Sequence, residues 1–286
     1  MKWRSARRSS NVEDRRGRGP GGGGMKLGLG GIAAVVVIGL LLGKSPMEML
    51  GLVAEVQQQA PAGQQAPSAP INDEASQFIA SILGETEDVW GAIFEASGTQ
   101  YTPARLVLFS GQVQSACGGA TAAVGPFYCP GDQQVYIDLS FFDQMQARLG
   151  GGGDFAEAYV IAHEVGHHVQ TLTGVSARVN EIRRSGGNVE GADGPLVRQE
   201  LQADCYAGLW AHHAQKRHAW LEPGDLEEAL ATATAIGDDT LQRQGQGQVV
   251  PDSFTHGSAE QRVRWFRTGF ESGDVRLCDT FAAGRL

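Results

Sequence analysis

The stretch AYVIAHEVGHHVQTLTG, Ala158 to Gly174, holds three of the chain's seven histidines and one glutamate within six residues. At about 100° per residue a helix places His163 and His167 one turn apart, about 40° from each other, with Glu164 about 100° round from His163. Phe155, Ala158, Ala162, Val165, Val169 and Leu172 gather on the opposite side. The pattern predicts a helix over Asp154–Thr173, with one face toward a core and the other presenting two stacked imidazoles beside a carboxylate. Asp154 and Glu157 read as a capping box, and Gly174 as the stop.

Two imidazoles at i and i+4 can aim nitrogens at one point, which suits zinc. The carboxylate at i+1 lies too far round to ligate and is placed to accept a proton from an activated water. This is the H-E-x-x-H arrangement, His163 to His167. His168 lies another 100° round and reads as a hydrogen-bonding or solvent-facing histidine near Glu164. A catalytic zinc takes three protein ligands and an open position. The extended form with a third histidine is excluded, because positions 170 and 173 are Gln and Thr. Downstream, RQELQADCYAGLWAHH sets Glu200 and Asp204 one turn apart on a stripe that includes Ala203, Ala207 and Ala211. Small side chains allow this helix close to the first. Glu200 is expected to ligate zinc, and Asp204 to accept the free ring N–H of a ligand histidine. His212 and His213 read as surface residues.

The 286 residues carry a formal charge of −9, unevenly spread: eight Lys/Arg against two Asp/Glu in residues 1–26, fifteen against thirty in the rest. An acidic body gives no electrostatic reason for a nucleic-acid partner. Residues 1–26 read as a disordered, basic cytoplasmic head. LGLGGIAAVVVIGLLLG, Leu27 to Gly43, is uncharged and bracketed by Lys26 and Lys44, which predicts one transmembrane helix, with a cleavable signal peptide as the rival reading. Gly39 and Gly43 are spaced for a homodimer through that span. Residues 44–71 form a linker rich in Pro, Gln and Ala, and 72–286 an extracytoplasmic domain. Four cysteines there, Cys117, Cys129, Cys205 and Cys278, suggest two disulfides. Of the three pairings, Cys117–Cys129 with Cys205–Cys278 closes one short loop and ties the C-terminal tail to a helix.

The remaining pattern is mostly helical with a small sheet, an α+β class. Helices are expected within 72–96, over Arg198–Lys216 and Pro223–Arg243, and after a Ser258/Gln261 cap; residues 101–113 and 134–139 read as extended, with Asp132 and Asp138 solvated. Words from nearly the whole chain resemble the neutral zinc metallopeptidase family of bacterial single-pass membrane proteins, of Glu-zincin type. They are NVEDRRG (11–17), ACGGATAAVGPFYCPGDQQVYIDLSFF (116–142), AYVIAHEVGHHVQ (158–170), RQELQADCYAGLWA (198–211) and DSFTHGSAEQRVRWFRTGF (252–270). The resemblance implies a zincin-like fold, a bound Zn2+, and a membrane-anchored endopeptidase acting on peptide or protein substrates. FTHGSAEQR is similar to the T-H-P…R segment of membrane Glu-zincins and makes His256 the candidate donor to the transition-state oxyanion; Gly257 departs from the proline. The strand near Val135–Leu139 is expected to pair with an extended peptide. Two readings compete: a zinc-stapled scaffold without activity, and an H-E-x-x-H hydrolase with Cys117 as a ligand.

Overall fold

A computed structural model describes residues 1–17, 73–149 and 152–286. The Leu27–Gly43 run, its Gly39/Gly43 pair and the linker up to residue 72 lie outside the described residues. Among those described, no helix is long and apolar enough to cross a membrane.

In chain order the elements are β1 (Val12–Asp14), α1 (Glu74–Ala96), β2 (Arg105–Phe109), β3 (Gln112–Ser115), β4 (Gly118–Thr121), β5 (Phe127–Cys129), β6 (Gln134–Asp138), α2 (Ser140–Leu149), α3 (Asp154–Leu172), α4 (Val175–Arg184), α5 (Pro195–His218), α6 (Asp225–Ala235), α7 (Asp238–Gln246) and α8 (Ala259–Ser272). The main sheet runs β1-β2-β6-β5, with β1, β2 and β6 parallel and β5 antiparallel to β6; β3 and β4 form a separate hairpin. The chain is α+β and mostly helical, as its periodicity indicates. β6 has a partner on both sides, so its backbone has no edge for a peptide; among the described residues the unpaired edge beside the site helix belongs to β5. Asp132 and Asp138 are not merely solvated. Asp132 accepts from Tyr136 Oη at 2.8 Å and Ala116 N at 2.8 Å, and Asp138 from Gly111 N at 2.7 Å, fixing the turns beside β6.

Met1–Arg16 and Ala69–Leu286 form one compact unit. The expectation that residues 1–26 make a disordered head separate from the body is therefore corrected for Met1–Arg16. Its charges mislead because they are neutralised in place: Arg15 pairs with Glu13 at 2.9 Å, and Arg16 with Asp14 and Asp73 at 2.6 Å. Between the charges, Trp3 and Val12 are buried, Trp3 edge-on to Phe78 at 5.3 Å.

α3, α5 and α8 make the framework of the site. Gly166 on α3 lies against Ala203 on α5; a Cβ on the glycine would stand 3.1 Å from the Ala203 Cα. A methyl group there requires the Ala203 backbone to give by a few tenths of an ångström. α5 and α8 interlock more tightly. A Cβ on Gly208 would stand 2.0 Å from Phe266 O, and one on Gly269 1.9 Å from Cys205 O. These mid-helix glycines cost about 0.5–1 kcal/mol each in helix propensity, and close backbone approach is what that cost permits. Ser258 caps α8 in the expected box with Gln261. Asp154, by contrast, is not a cap: Gly153 takes that position without a side-chain bond, and Asp154 is the first helical residue. The segment read as one helix from Pro223 is two, α6 and α7. They are separated at Gly237, where the Ala259 backbone leaves no room for a Cβ (2.4 Å to its N).

The disulfides are Cys117–Cys129 and Cys205–Cys278, with no free cysteine. The first ties β5 to the turn after β3; the second ties α5 to the C-terminal tail.

Candidate metal centre

His163 and His167 project from α3 toward Glu200 on α5. One ligand atom from each lies within 4.8 Å of the other two, the geometry of a shared cation. Both rings turn Nε2 to the carboxylate: His163 Nε2 stands 3.2 Å from Glu200 Oε2, and His167 Nε2 3.5 Å from Glu200 Oε1. Both Nδ1 atoms are held from behind. His163 Nδ1–H donates to Asp204 Oδ1 at 2.9 Å, and His167 Nδ1–H to Gln170 Oε1 at 2.9 Å. Carboxylate and amide oxygens only accept, so each Nδ1 carries the hydrogen and each Nε2 is the atom left for a metal. Two imidazole nitrogens and one carboxylate oxygen, so oriented, fit a zinc ion with an open fourth position.

The electrostatics agree. Burial works against a charged His163 ring, but Asp204 and Glu200 together outweigh it and lift the ring to about 10. Burial also raises Glu200, yet the two imidazoles beside it hold it well below the usual carboxylate range. The cluster thus favours positive charge between the rings and the carboxylate, which a divalent cation would supply in place of those protons.

Behind the ligands lies a buried network. Arg262 from α8 is bidentate on Asp204, Nε to Oδ2 at 2.8 Å and Nη2 to Oδ1 at 2.9 Å. Tyr159 Oη donates to Asp204 Oδ1 at 2.6 Å. Burial pushes Asp204 up, but Arg262 and His163 hold it down at about 2. Gln170 Nε2 donates to Gln199 O at 2.6 Å, tying α3 to α5 one turn from the ligands.

Glu164 is 8% exposed and lines the same cavity of about 350 Å³ as the ligands, β5, His256 and Arg262. His256 is half-exposed at the rim; its Nδ1 lies 3.3 Å from Asp238 Oδ1. Asp238 also accepts from the backbone N–H groups of Thr255, His256 and Gly257 at 2.7, 2.7 and 3.0 Å. The bond to Asp238 raises the His256 ring above its ordinary value against the opposing effect of burial.

His163, Glu164, His167, Glu200 and His256 thus line one cavity, and Asp204 stands behind His163. His168 does not join them and is fully buried, not solvent-facing: Nε2–H donates to Thr102 O at 2.7 Å and Nδ1 accepts from Tyr128 Oη at 3.2 Å, pinning β5 to α3. His212 and His213 are half-buried and donate to Phe270 O and Gly273 O at the end of α8. Cys117 is disulfide-bonded and outside the cluster, so it is no ligand. Sequence reading missed Tyr159, Gln170 and Asp238 as supports. Gln170 sits at the i+3 position from His167, a helical neighbour, and that spacing was the available signal; Asp238 carried none.

The chain matches the family described as "Putative neutral zinc metallopeptidase" over residues 1–281. It is 48% identical over 290 residues to the uncharacterized protein YpfJ of Escherichia coli K12, covering 98% of this chain and 99% of that one. It is also 44% identical over 223 residues, 74% of each chain, to the uncharacterized proteins Mb2605 of Mycobacterium bovis and Rv2575 of Mycobacterium tuberculosis. No solved structure matches. The chain belongs to the neutral zinc metallopeptidase family.

Proposed function

We propose that the protein is a zinc-dependent endopeptidase, held at a membrane by residues 27–43, with His163, His167 and Glu200 as ligands. The observation that carries the reading is the convergence of those three donors with Glu164 alongside. A bound zinc ion supplies Lewis-acid polarisation of the scissile carbonyl and lowers the pKa of water at its open position to roughly 7. Glu164 accepts the proton of the attacking water and delivers it to the leaving amine nitrogen. It takes no hydrogen bond from the described residues that would hinder this, and a purely structural site has no use for it. His256, positioned by Asp238, donates from its ring to the developing oxyanion. The free edge of β5, held by Tyr128 and His168, aligns an extended peptide along the cavity.

Metal analysis of the full chain, paired with a peptide-library digest and a chelator control, tests this. Zinc near one equivalent and chelator-sensitive cleavage that Glu164→Gln removes, with zinc retained, supports the proposal. Zinc retention with no cleavage by the wild type favours the scaffold reading, and absence of zinc overturns both.

A further inference from the structure

The docking of Met1–Arg16 constrains how the chain meets a membrane. β1 lies in the sheet: Leu106 N donates to Asn11 O at 2.9 Å and Arg15 N to Leu108 O at 2.7 Å, with Val12, Glu13 and Asp14 in register with Leu106, Val107 and Leu108. The segment before it runs across α1. Ser9 N donates to Ala80 O at 2.8 Å, Arg7 reaches Gly84 O at 2.8 Å and Asp88 Oδ1 at 2.7 Å, and Asn11 Nδ2 donates to Glu87 at 2.8 Å. At its start Lys2 N donates to Trp220 O at 2.9 Å.

The body is shaped for this segment. Gly84 sits within α1, where glycine is unfavourable, and a Cβ there would stand 2.6 Å from Arg7 O. The glycine is what lets the N-terminal backbone cross the helix. Polar pairing, two buried apolar anchors and a matching gap in the helix surface together mark a built interface.

Strands in one sheet lie about 4.8 Å apart, whereas a bilayer core is about 30 Å thick. A chain that crossed once between residue 17 and residue 72 would put β1 and β2 on opposite faces. Resting on the membrane reading proposed above, we infer that Met1–Arg16 lies on the same face of the membrane as the zinc-site body. The head and the body then share one face, where the sequence alone set them on opposite ones; Arg7 is occupied by Glu87 and Asp88, and Arg16 by Asp14 and Asp73.

Because all native cysteines are paired, an added one is a single reactive thiol. Ser5→Cys and Ser185→Cys, both exposed positions, are introduced separately into the full chain and treated with a membrane-impermeant maleimide in intact spheroplasts and after lysis. Equal accessibility of the two before lysis is expected, whether both label or neither does; labelling of one and protection of the other overturns the inference. Docking is read separately with Ser9→Cys, at a buried position. Its labelling in the lysed sample should be at least tenfold slower than that of Ser5→Cys, and Gly84→Leu should abolish the difference. Equal rates in the Gly84 background show the segment undocked and also overturn the inference.

Discussion

Arg262 faces Asp204 with two parallel bonds of 2.8 and 2.9 Å, and Asp204 in turn holds His163 at 2.9 Å. A cation on α8, an anion on α5 and the proposed metal ligand on α3 thus form one buried line. The arrangement explains why a carboxylate with no exposure stays ionised: Arg262 balances it, and the Tyr159 hydroxyl fills a further acceptor position. Removing either end leaves a buried group unmatched. Arg262→Leu is expected to destabilise the fold by about 3–5 kcal/mol through the uncompensated charge, measured by denaturant unfolding. Asp204→Ala is expected to lower zinc affinity roughly 10–100-fold, measured by competition with a chelating dye. Unchanged affinity would remove Asp204 from its supporting role.

Gln170 gives His167 the same kind of support without a charge. Gln170→Leu keeps the volume but leaves the buried Nδ1–H of His167 without its acceptor and cuts the link to Gln199 O. Zinc affinity should fall about tenfold at the low end of such effects, with helix content intact by circular dichroism. His168→Ala, one residue from His167, should retain zinc, since its ring bonds only Thr102 O and Tyr128 Oη. It should instead loosen β5, seen as faster amide exchange at Phe127–Cys129.

The site helices were readable in the sequence because their information is local. His163, Glu164 and His167 lie within two turns, Glu200 and Asp204 within one, and each pair is fixed by the same 3.6-residue period that defines the helix. Their meeting was inferable from the alanine stripe, since Ala203 is where α3 and α5 touch. β1 was not readable. Three residues, two of them acidic and both neutralised by arginines two positions on, carry no strand period, and the partners Leu106–Leu108 are some ninety residues away. Gly84 and Gly237 are similar cases: each answers to a backbone that arrives from a distant part of the chain.

The Asp238–His256 pair carries a pH signature. The His256 ring is raised above its ordinary value by Asp238. A raised histidine adds stability that is complete below its unfolded pKa, about 6.5, and is lost as pH rises through the folded value. Asp238→Asn should therefore destabilise the protein more at pH 6 than at pH 9, by a modest margin because the ring is half-exposed. If His256 acts as a donor, the alkaline fall of peptidase activity should also move to lower pH in Asp238→Asn, while zinc content stays constant. An unmoved alkaline limb would leave His256 as a rim residue.

The two disulfides should separate by loop length. Cys205–Cys278 spans 73 residues and Cys117–Cys129 spans 12. Chain-entropy reasoning gives about 4 kcal/mol for the longer loop and about 3 for the shorter. Their consequences for the site differ more than their energies. Cys205 follows Asp204 on α5, where the helix backbone meets Gly269 of α8, so Cys205→Ser with Cys278→Ser frees the tail from the framework that holds Asp204 and Arg262. Gln202, which donates to Cys278 O at 3.1 Å, loses a fixed partner as well. That pair of substitutions should lower both the unfolding midpoint and zinc affinity. Cys117→Ser with Cys129→Ser acts at the end of β5, a strand that offers no residue to the candidate ligand set. It should lower the midpoint alone, with zinc bound as in the wild type and peptide affinity reduced as the edge strand loosens. Zinc loss in this second variant would show that the edge strand helps hold the metal, contrary to the ligand set of His163, His167 and Glu200.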